Sequence, residues 1–202
     1  MNVVCLDVEG VLVPEIWINV AERTGIPELR LTTRDVSDYD ELMRYRLGIL
    51  DAHGLGLADI QRVIAAMGPL PGAADFLATL RAHWQVVLLS DTFYEFAMPL
   101  MAQLAYPTLL CHRLEVDGDK ITGYKLRQAD SKREAVKAFQ SLNFQVVAAG
   151  DSYNDTGMLA QAQAGILFNP PPAVVKEFPQ FPVALDYDAL AAQIKAAGRA
   201  LD

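Results

Sequence analysis

Three short apolar runs in this chain end alike, in an acid or a hydroxyl. They are Val3-Val4-Cys5-Leu6-Asp7-Val8-Glu9, Val86-Val87-Leu88-Leu89-Ser90-Asp91-Thr92 and Val146-Val147-Ala148-Ala149-Gly150-Asp151-Ser152-Tyr153-Asn154-Asp155. If each run is a strand of one open parallel sheet, the endings lie on the carboxyl edge, where such sheets bind ligands. Asp7, Glu9, Ser90, Asp151 and Asp155 then share one small volume. Carboxylates crowded together repel one another unless a proton or a cation is shared among them. All are oxygen ligands, and no His or Cys accompanies them, which selects a hard cation with Mg²⁺ first. An acidic, metal-bearing pocket with a hydroxyl and a lysine suits phosphoryl transfer, because the metal clamps phosphate oxygens and screens them from the carboxylates.

Each residue alone has a plainer reading. Asp151 or Asp155 can cap the helix that follows, and Ser152-Tyr153-Asn154-Asp155 matches a capping box. Ser90-Asp91-Thr92 alone is an ordinary turn, and Lys132 near a helix start is a solvated charge. Their joint occurrence in one chain order favours the site.

Elements able to position these residues are visible in the pattern. Short apolar runs alternate with longer amphipathic stretches, as in a parallel sheet covered by helices. Strands are predicted at 3–8, 85–89, 145–149 and 165–168, with helices at about 72–82, 93–104, 131–142, 156–161 and 187–201. Pro99 bends or shortens the second of these helices, and Ser131-Lys132-Arg133-Glu134 fits a capping box opening the third. A hairpin turns at Asp117-Gly118-Asp119. Between Pro14 and Gly72 three helical patterns, at about 14–24, 38–50 and 57–67, follow one another without a strand. Val13-Pro14 and Gly68-Pro69-Leu70-Pro71-Gly72 bound this stretch. The reading is an α/β, Rossmann-like parallel sheet core formed by residues 1–13 and 71–202, with a small helical cap inserted at 14–70.

Composition bounds the function. A chain of 202 residues with 52% hydrophobic content supplies a core without disulfide or metal staples. With 25 acids against 17 bases, a net charge of −8 and no Lys/Arg-rich run, a nucleic acid or an anionic membrane is a poor partner and a small molecule a better one. Cys5 and Cys111 are far apart and read as small core residues. The opening residues lack the basic region of a signal peptide, and no apolar run approaches the ~20 residues of a membrane span. A soluble cytoplasmic protein is expected.

Taken in order, these residues resemble the motifs of the haloacid-dehalogenase superfamily of phosphotransferases. Asp7-Val8-Glu9-Gly10-Val11 is similar to its first signature and Leu88-Leu89-Ser90-Asp91 to its second. Asp130-Ser131-Lys132 is similar to the third, and Gly150-Asp151-Ser152-Tyr153-Asn154-Asp155 to the fourth. The resemblance implies that Asp7 is the nucleophile and forms an aspartyl-phosphate. Glu9 then protonates the leaving alcohol and deprotonates the acceptor. It places Asp7, Glu9 (through its backbone carbonyl), Asp151 and Asp155 at the Mg²⁺. Ser90, Asp91, Lys132 and Asn154 contact phosphate, with Lys132 neutralising charge on the transferred group.

The insertion at 14–70 is similar to the small cap of phosphoserine phosphatases. In that cap Glu15 binds a substrate ammonium and Arg46 grips a carboxylate, with Tyr39 and Met43 lining the same cavity. For Glu15 and Arg46 the alternative is a surface ion pair or helix-end charge, and for Tyr39 and Met43 it is packing within the cap. O-phosphoserine carries an amine, a carboxylate and a phosphate, and the groups match all three. The short chain and its opening from Asp7 to Glu15 also resemble members of that family that pass the phosphoryl group to homoserine. One departure is Glu9, where the family usually has Asp. Two rivals remain: the same chemistry on a sugar phosphate or phosphocholine, and a phospho-accepting signalling receiver.

Overall fold

The first strand, β1 (Asn2–Leu6), sends alternate side chains to two different layers, as strand periodicity requires. Val4 and Leu6 join one hydrophobic cluster, and Val3 and Cys5 join another on the opposite face. The same division runs through the neighbouring strands: Leu88, Val147 and Ala149 lie on the first side, and Val87, Leu89, Val146 and Ala148 on the second. The structure, a computed structural model, describes residues 1–32, 35, 36 and 38–201.

After β1 come α1 (Ile16–Thr24), a 3₁₀ turn (Pro27–Arg30), α2 (Tyr39–Ala52), α3 (Leu57–Ala65) and α4 (Ala73–Arg81). Then follow β2 (Gln85–Phe93), α5 (Tyr94–Gln103), β3 (Thr108–Asp117), β4 (Lys120–Lys125), α6 (Ser131–Ser141) and β5 (Gln145–Gly150). The chain finishes with α7 (Thr156–Gln161), β6 (Ala164–Phe168), α8 (Pro172–Glu177), β7 (Val183–Ala184) and α9 (Tyr187–Leu201). Among the described residues the sheet has seven strands, ordered β4-β3-β2-β1-β5-β6-β7. All neighbours are parallel except β4, which returns antiparallel on β3. This is an α/β fold.

Strand order reverses at β1: the chain first builds outward through β2 and β3, then returns to β5 on the other side of β1 and builds through β6 and β7. Such a switch point opens a crevice at the carboxyl ends of the central strands. Register brings the acids together there. Leu6 is paired with both Leu88 and Ala149, and the Asp7 backbone N–H donates to the Ala149 carbonyl at 2.9 Å. Asp7, Ser90 and Asp151 therefore stand within a residue or so of one level.

One face is covered by α4, α5 and α9, and the other by α6, α7 and α8. The inserted helices have no core of their own. Ile16, Val20, Met43, Leu50, Ile60 and Ile64 belong to the cluster that holds Val4, Leu6 and Leu88. Burying one such side chain contributes about 1.5–3 kcal/mol, so the insertion is anchored on the sheet layer. Polar contacts add to this: the Leu57 N–H donates to the Asp119 carbonyl at 2.7 Å and the Ala58 N–H to Asp119 Oδ1 at 2.8 Å.

The structure departs from the sequence expectations in several places. β2 runs on to Phe93, with a register irregularity against β3 between Leu89 and Phe93. β3 begins at Thr108 as well as forming the expected hairpin. Its first half pairs parallel with β2 and its second half antiparallel with β4, so no single alternation spans it. Pro99 sits inside α5 without ending it. The Ser131 capping box does not form: Asp130, at φ +48°, is the N-cap and Ser131 is already helical. Asn169-Pro170-Pro171-Pro172 reads in the sequence as a proline-rich connection, yet Pro172 opens α8, because proline is tolerated in a first turn, where the missing N–H costs nothing.

Candidate active site

Lys132 is the centre of the cluster. It is 3% exposed, and its Nζ lies 2.7 Å from Asp155 Oδ1, 2.9 Å from Asp7 Oδ1 and 3.6 Å from Asp91 Oδ2. A cation in the first turn of a helix opposes the helix dipole, so the carboxylates must hold it there. Burial alone would lower the ammonium pKa, but Asp155, Asp7 and Asp91 outweigh it and raise it well above the usual lysine range.

Asp7 is buried, and its Oδ1 also accepts the Val8 N–H at 2.7 Å. Its pKa stands well above the ordinary value, first through burial and then through Asp155, with Lys132 opposing and Asp151 adding to the rise. Asp155 is fully buried; its Oδ2 accepts the Asp151 N–H at 2.9 Å and the Ser152 N–H at 3.1 Å. The capping reading and the site reading of Asp155 thus hold together. Gly150 is required by this close approach, since a Cβ there would stand 2.3 Å from Asp155 Cγ. Gly10, at φ +77°, gives Asp151 the same room: a Cβ would fall 2.5 Å from Asp151 Oδ2.

Ligand atoms of Asp7, Asp151 and Asp155 lie within 4.8 Å of one another. Burial, then Asp155 and Glu15, pushes Asp151 up to about 7. Three carboxylates crowded so closely fit a hard divalent cation. Asp155 is the poorest direct ligand of the three, because Lys132 and two backbone N–H groups already engage its oxygens.

Glu9 turns toward the insertion. Its Oε2 accepts the Ile16 N–H at 2.9 Å, capping α1 in place of a conventional N-cap side chain. Burial first, and then the charge of Glu15, pushes Glu9 up to about 8, with the Ile16 hydrogen bond and Arg46 opposing. A carboxyl that keeps its proton near neutrality is suited to act as a general acid.

The pocket these residues line holds about 180 Å³ and is lined as well by Glu15, Trp17, Tyr39 and Arg46. Arg46 is 7% exposed and its guanidinium lies 4.5 Å from the centre of the Trp17 ring. Its Nη2 donates to the Leu31 carbonyl at 2.7 Å, while its buried Nε has no hydrogen-bond partner among the described residues. Burial lowers its pKa to about 10 against the support of Glu9, Tyr39 and Glu15. Glu15 is exposed at the rim.

Two expectations are corrected. Met43 does not line the cavity: it is fully buried in the core cluster, and its Sδ lies beneath the Arg46 Nη1 at 3.8 Å. Helical spacing places the two residues on one face, but the longer arginine reaches past the methionine. Asp91 does line the pocket, but its carboxylate faces cations and donors. Its Oδ2 accepts the Asn154 Nδ2–H at 2.9 Å. Burial opposes its ionisation, yet Lys132, the nearby His112 imidazole and the hydrogen bond from Asn154 hold its carboxyl well below the usual range. With its carboxylate taken up by these groups, Asp91 organises donors around the pocket. Ser90 is buried, and its Oγ accepts the Thr92 N–H at 3.2 Å.

Sequence reasoning missed Trp17, Thr92 and His112. His112 left a signal: Leu109-Leu110-Cys111-His112 is a fourth apolar run ending in a polar residue, one strand beyond Ser90. A second cavity, of about 600 Å³, adjoins the first across Asp91, Lys132 and Asn154 and is bounded by His112 and Asp130.

The haloacid dehalogenase-like hydrolase family model matches residues 17–160. The chain belongs to this family. This hydrolase is 60% identical over 203 residues to a protein of Pseudomonas aeruginosa named phosphoserine phosphatase ThrH, covering 100% of this chain and 99% of the relative. A phosphoserine phosphatase of Pseudomonas syringae pv. tomato is likewise 60% identical, over 100% of this chain and 86% of its own length. Among solved structures, phosphoserine phosphatase from T. onnurineus superposes on the hydrolase with a TM-score of 0.72 at 27% identity, over 96% of this chain and 94% of that one. Among the described residues, no helix of the hydrolase is long and apolar enough to cross a membrane.

Proposed function

We propose that this protein is a Mg²⁺-dependent phosphoserine phosphatase of the cytoplasm that works through a phosphoryl group carried on Asp7. The observation that carries this reading is one small pocket lined by Asp7, Ser90 and Lys132 and also by Glu15 and the half-satisfied Arg46 guanidinium. The names of the 60% identical relatives support the substrate. The two buried, unpaired cysteines accord with a reducing compartment.

Residues 14–70 act as a cap over the pocket. Arg46 takes the substrate carboxylate through its unpaired Nε and the adjoining nitrogen, and Glu15 takes the ammonium. Tyr39, whose hydroxyl donates to the Asp91 carbonyl at 3.3 Å, closes one wall. The phosphate is then directed at Asp7, with Ser90 and Asn154 donating to its oxygens and Lys132 facing the charge that builds on them. Asp7, Asp151 and the Glu9 carbonyl would hold the metal, and Asp155 orients Lys132 and the Asp151 backbone. Mg²⁺ bound there would supply electrostatic screening between carboxylate and phosphate.

In the first half-reaction the Asp7 carboxylate attacks phosphorus, the bond from phosphorus to the serine oxygen breaks, and Glu9 gives that oxygen its proton. In the second, Glu9 as carboxylate takes a proton from water, whose oxygen attacks phosphorus and frees Asp7. Homoserine replaces water when its hydroxyl occupies the same position, and phosphohomoserine is the product.

Incubation of the protein with Mg²⁺ and O-phosphoserine, with and without homoserine, tests the proposal directly by ³¹P NMR. Free phosphate is the expected product without homoserine, and phosphohomoserine appears with it. Absence of both products ends the reading; phosphate alone removes only the transfer.

A further inference from the structure

His112 lies on β3, opposite Phe93 in the register of β2 and β3, and is 4% exposed. Its Nδ1 accepts the Arg127 backbone N–H at 3.0 Å. That nitrogen therefore carries no proton, and the neutral ring holds its hydrogen on Nε2. Nε2 lies 3.7 Å from Asp91 Oδ1.

From Asp91 the contacts return to His112. Ser131 Oγ donates to Asp91 Oδ1 at 3.3 Å, and the Ser131 carbonyl accepts Arg127 Nη2–H at 2.8 Å. Arg127 is the residue whose backbone N–H binds His112. The four residues close a ring of contacts around the start of α6, and the next residue in the chain is Lys132. Asp91 Oδ2, on the other side of the ring, meets Lys132 Nζ at 3.6 Å and Asn154 Nδ2 at 2.9 Å.

We propose that His112 is a positioning residue for phosphoryl transfer. It fixes the Asp91 rotamer through Nε2–H and the approach of the α6 start through Nδ1, and so sets where the Lys132 ammonium and the Asn154 amide stand. The proposal rests on the phosphatase reading above. Packing beside Phe93 calls only for bulk, which an apolar side chain would supply without a donor facing Asp91.

The test is a cycle of H112F, H112Q, D91N and H112F/D91N, each assayed with Mg²⁺ and phosphoserine after its thermal midpoint is recorded. H112F lowers kcat about tenfold to a hundredfold with little change in KM. H112Q, which restores a donor toward Asp91, regains most of it. H112F adds no further loss in the D91N background. Losses that multiply in the double variant, a glutamine no better than phenylalanine, or a deficit matched by lost folded protein overturns the proposal. Should H112F not fold, H112N, too short to reach Asp91, takes its place in the cycle. Failure of wild type to release phosphate instead defeats the phosphatase reading. Even then the ¹⁵N spectrum of the imidazole decides the positioning: the Nε2–H form is expected in the wild type, and a proton on Nδ1 overturns it.

Discussion

Lys132 Nζ and Asp7 Oδ1 are 2.9 Å apart with both side chains almost wholly buried. The nucleophile proposed here is thus paired with the cation that would face its phosphoryl product. The same ammonium serves Asp155 and Asp91, so one charge holds together three segments that are remote in the chain.

Replacing Lys132 by methionine keeps its length and removes the charge. Three carboxylates then lose their common partner, a change that costs about 3–5 kcal/mol when a buried pair is broken. Urea unfolding at neutral pH without metal should show that loss, and phosphoserine turnover should fall by at least about 10². A variant as stable as the parent would mean that the acids are neutral in the folded protein and the cluster is not ionic.

Stability of the metal-free protein should fall as pH rises. Asp151 goes from an ordinary 3.8 to about 7 on folding, and Asp7 also rises. Between those limits the folded chain binds more protons than the unfolded one, so the stability present below about pH 4 is lost as pH climbs through 7. Mg²⁺ should reverse this. At a hundred times its Kd a bound ligand adds about 2.7 kcal/mol, or roughly 5–10 °C in Tm for a chain of this size. Thermal scans at pH 5 and pH 8, in EDTA and in Mg²⁺, check it; equal midpoints in the two media at pH 8 would remove the metal site.

How far the site was legible follows from where its residues lie. Asp7, Ser90 and Asp151 were legible because each ends an apolar run, and parallel register carries those endings to one edge whatever the helices do. Arg46 and Met43 were legible as one helical face, but not as pocket and core, because side-chain reach decides that. His112 was hidden by a strand that changes partner halfway along. The role of Asp91 was hidden because its donors come from three other segments. α8 was masked by prolines that read as a connection and act as a helix start.

Arg46→Ala separates substrate grip from chemistry. Losing a charge-assisted pair of hydrogen bonds should raise the KM for phosphoserine about 10- to 100-fold, with kcat nearly unchanged. Phenyl phosphate, which has no carboxylate, should be processed as before. Arg46→Lys should recover only part of the loss, because an ammonium lacks the planar fork. An unchanged KM for phosphoserine in the alanine variant would free Arg46 from that role and leave it a packing residue over Trp17.

Glu9 has two separable duties, since its Oε2 caps the Ile16 N–H while its raised pKa keeps a proton available near neutrality. Glu9→Gln retains an oxygen for the Ile16 N–H and removes the acid, so the thermal midpoint should hardly move. Serine is a poor leaving group and needs the proton, whereas p-nitrophenolate leaves without one. Phosphoserine turnover should therefore fall about 10²- to 10⁴-fold, while the first half-reaction on p-nitrophenyl phosphate, read as a burst of p-nitrophenolate, survives. Turnover after the burst should still be slow, because the same residue must deprotonate water in the second step. Equal losses in burst and steady state for both esters would move Glu9 from proton transfer to holding the cap.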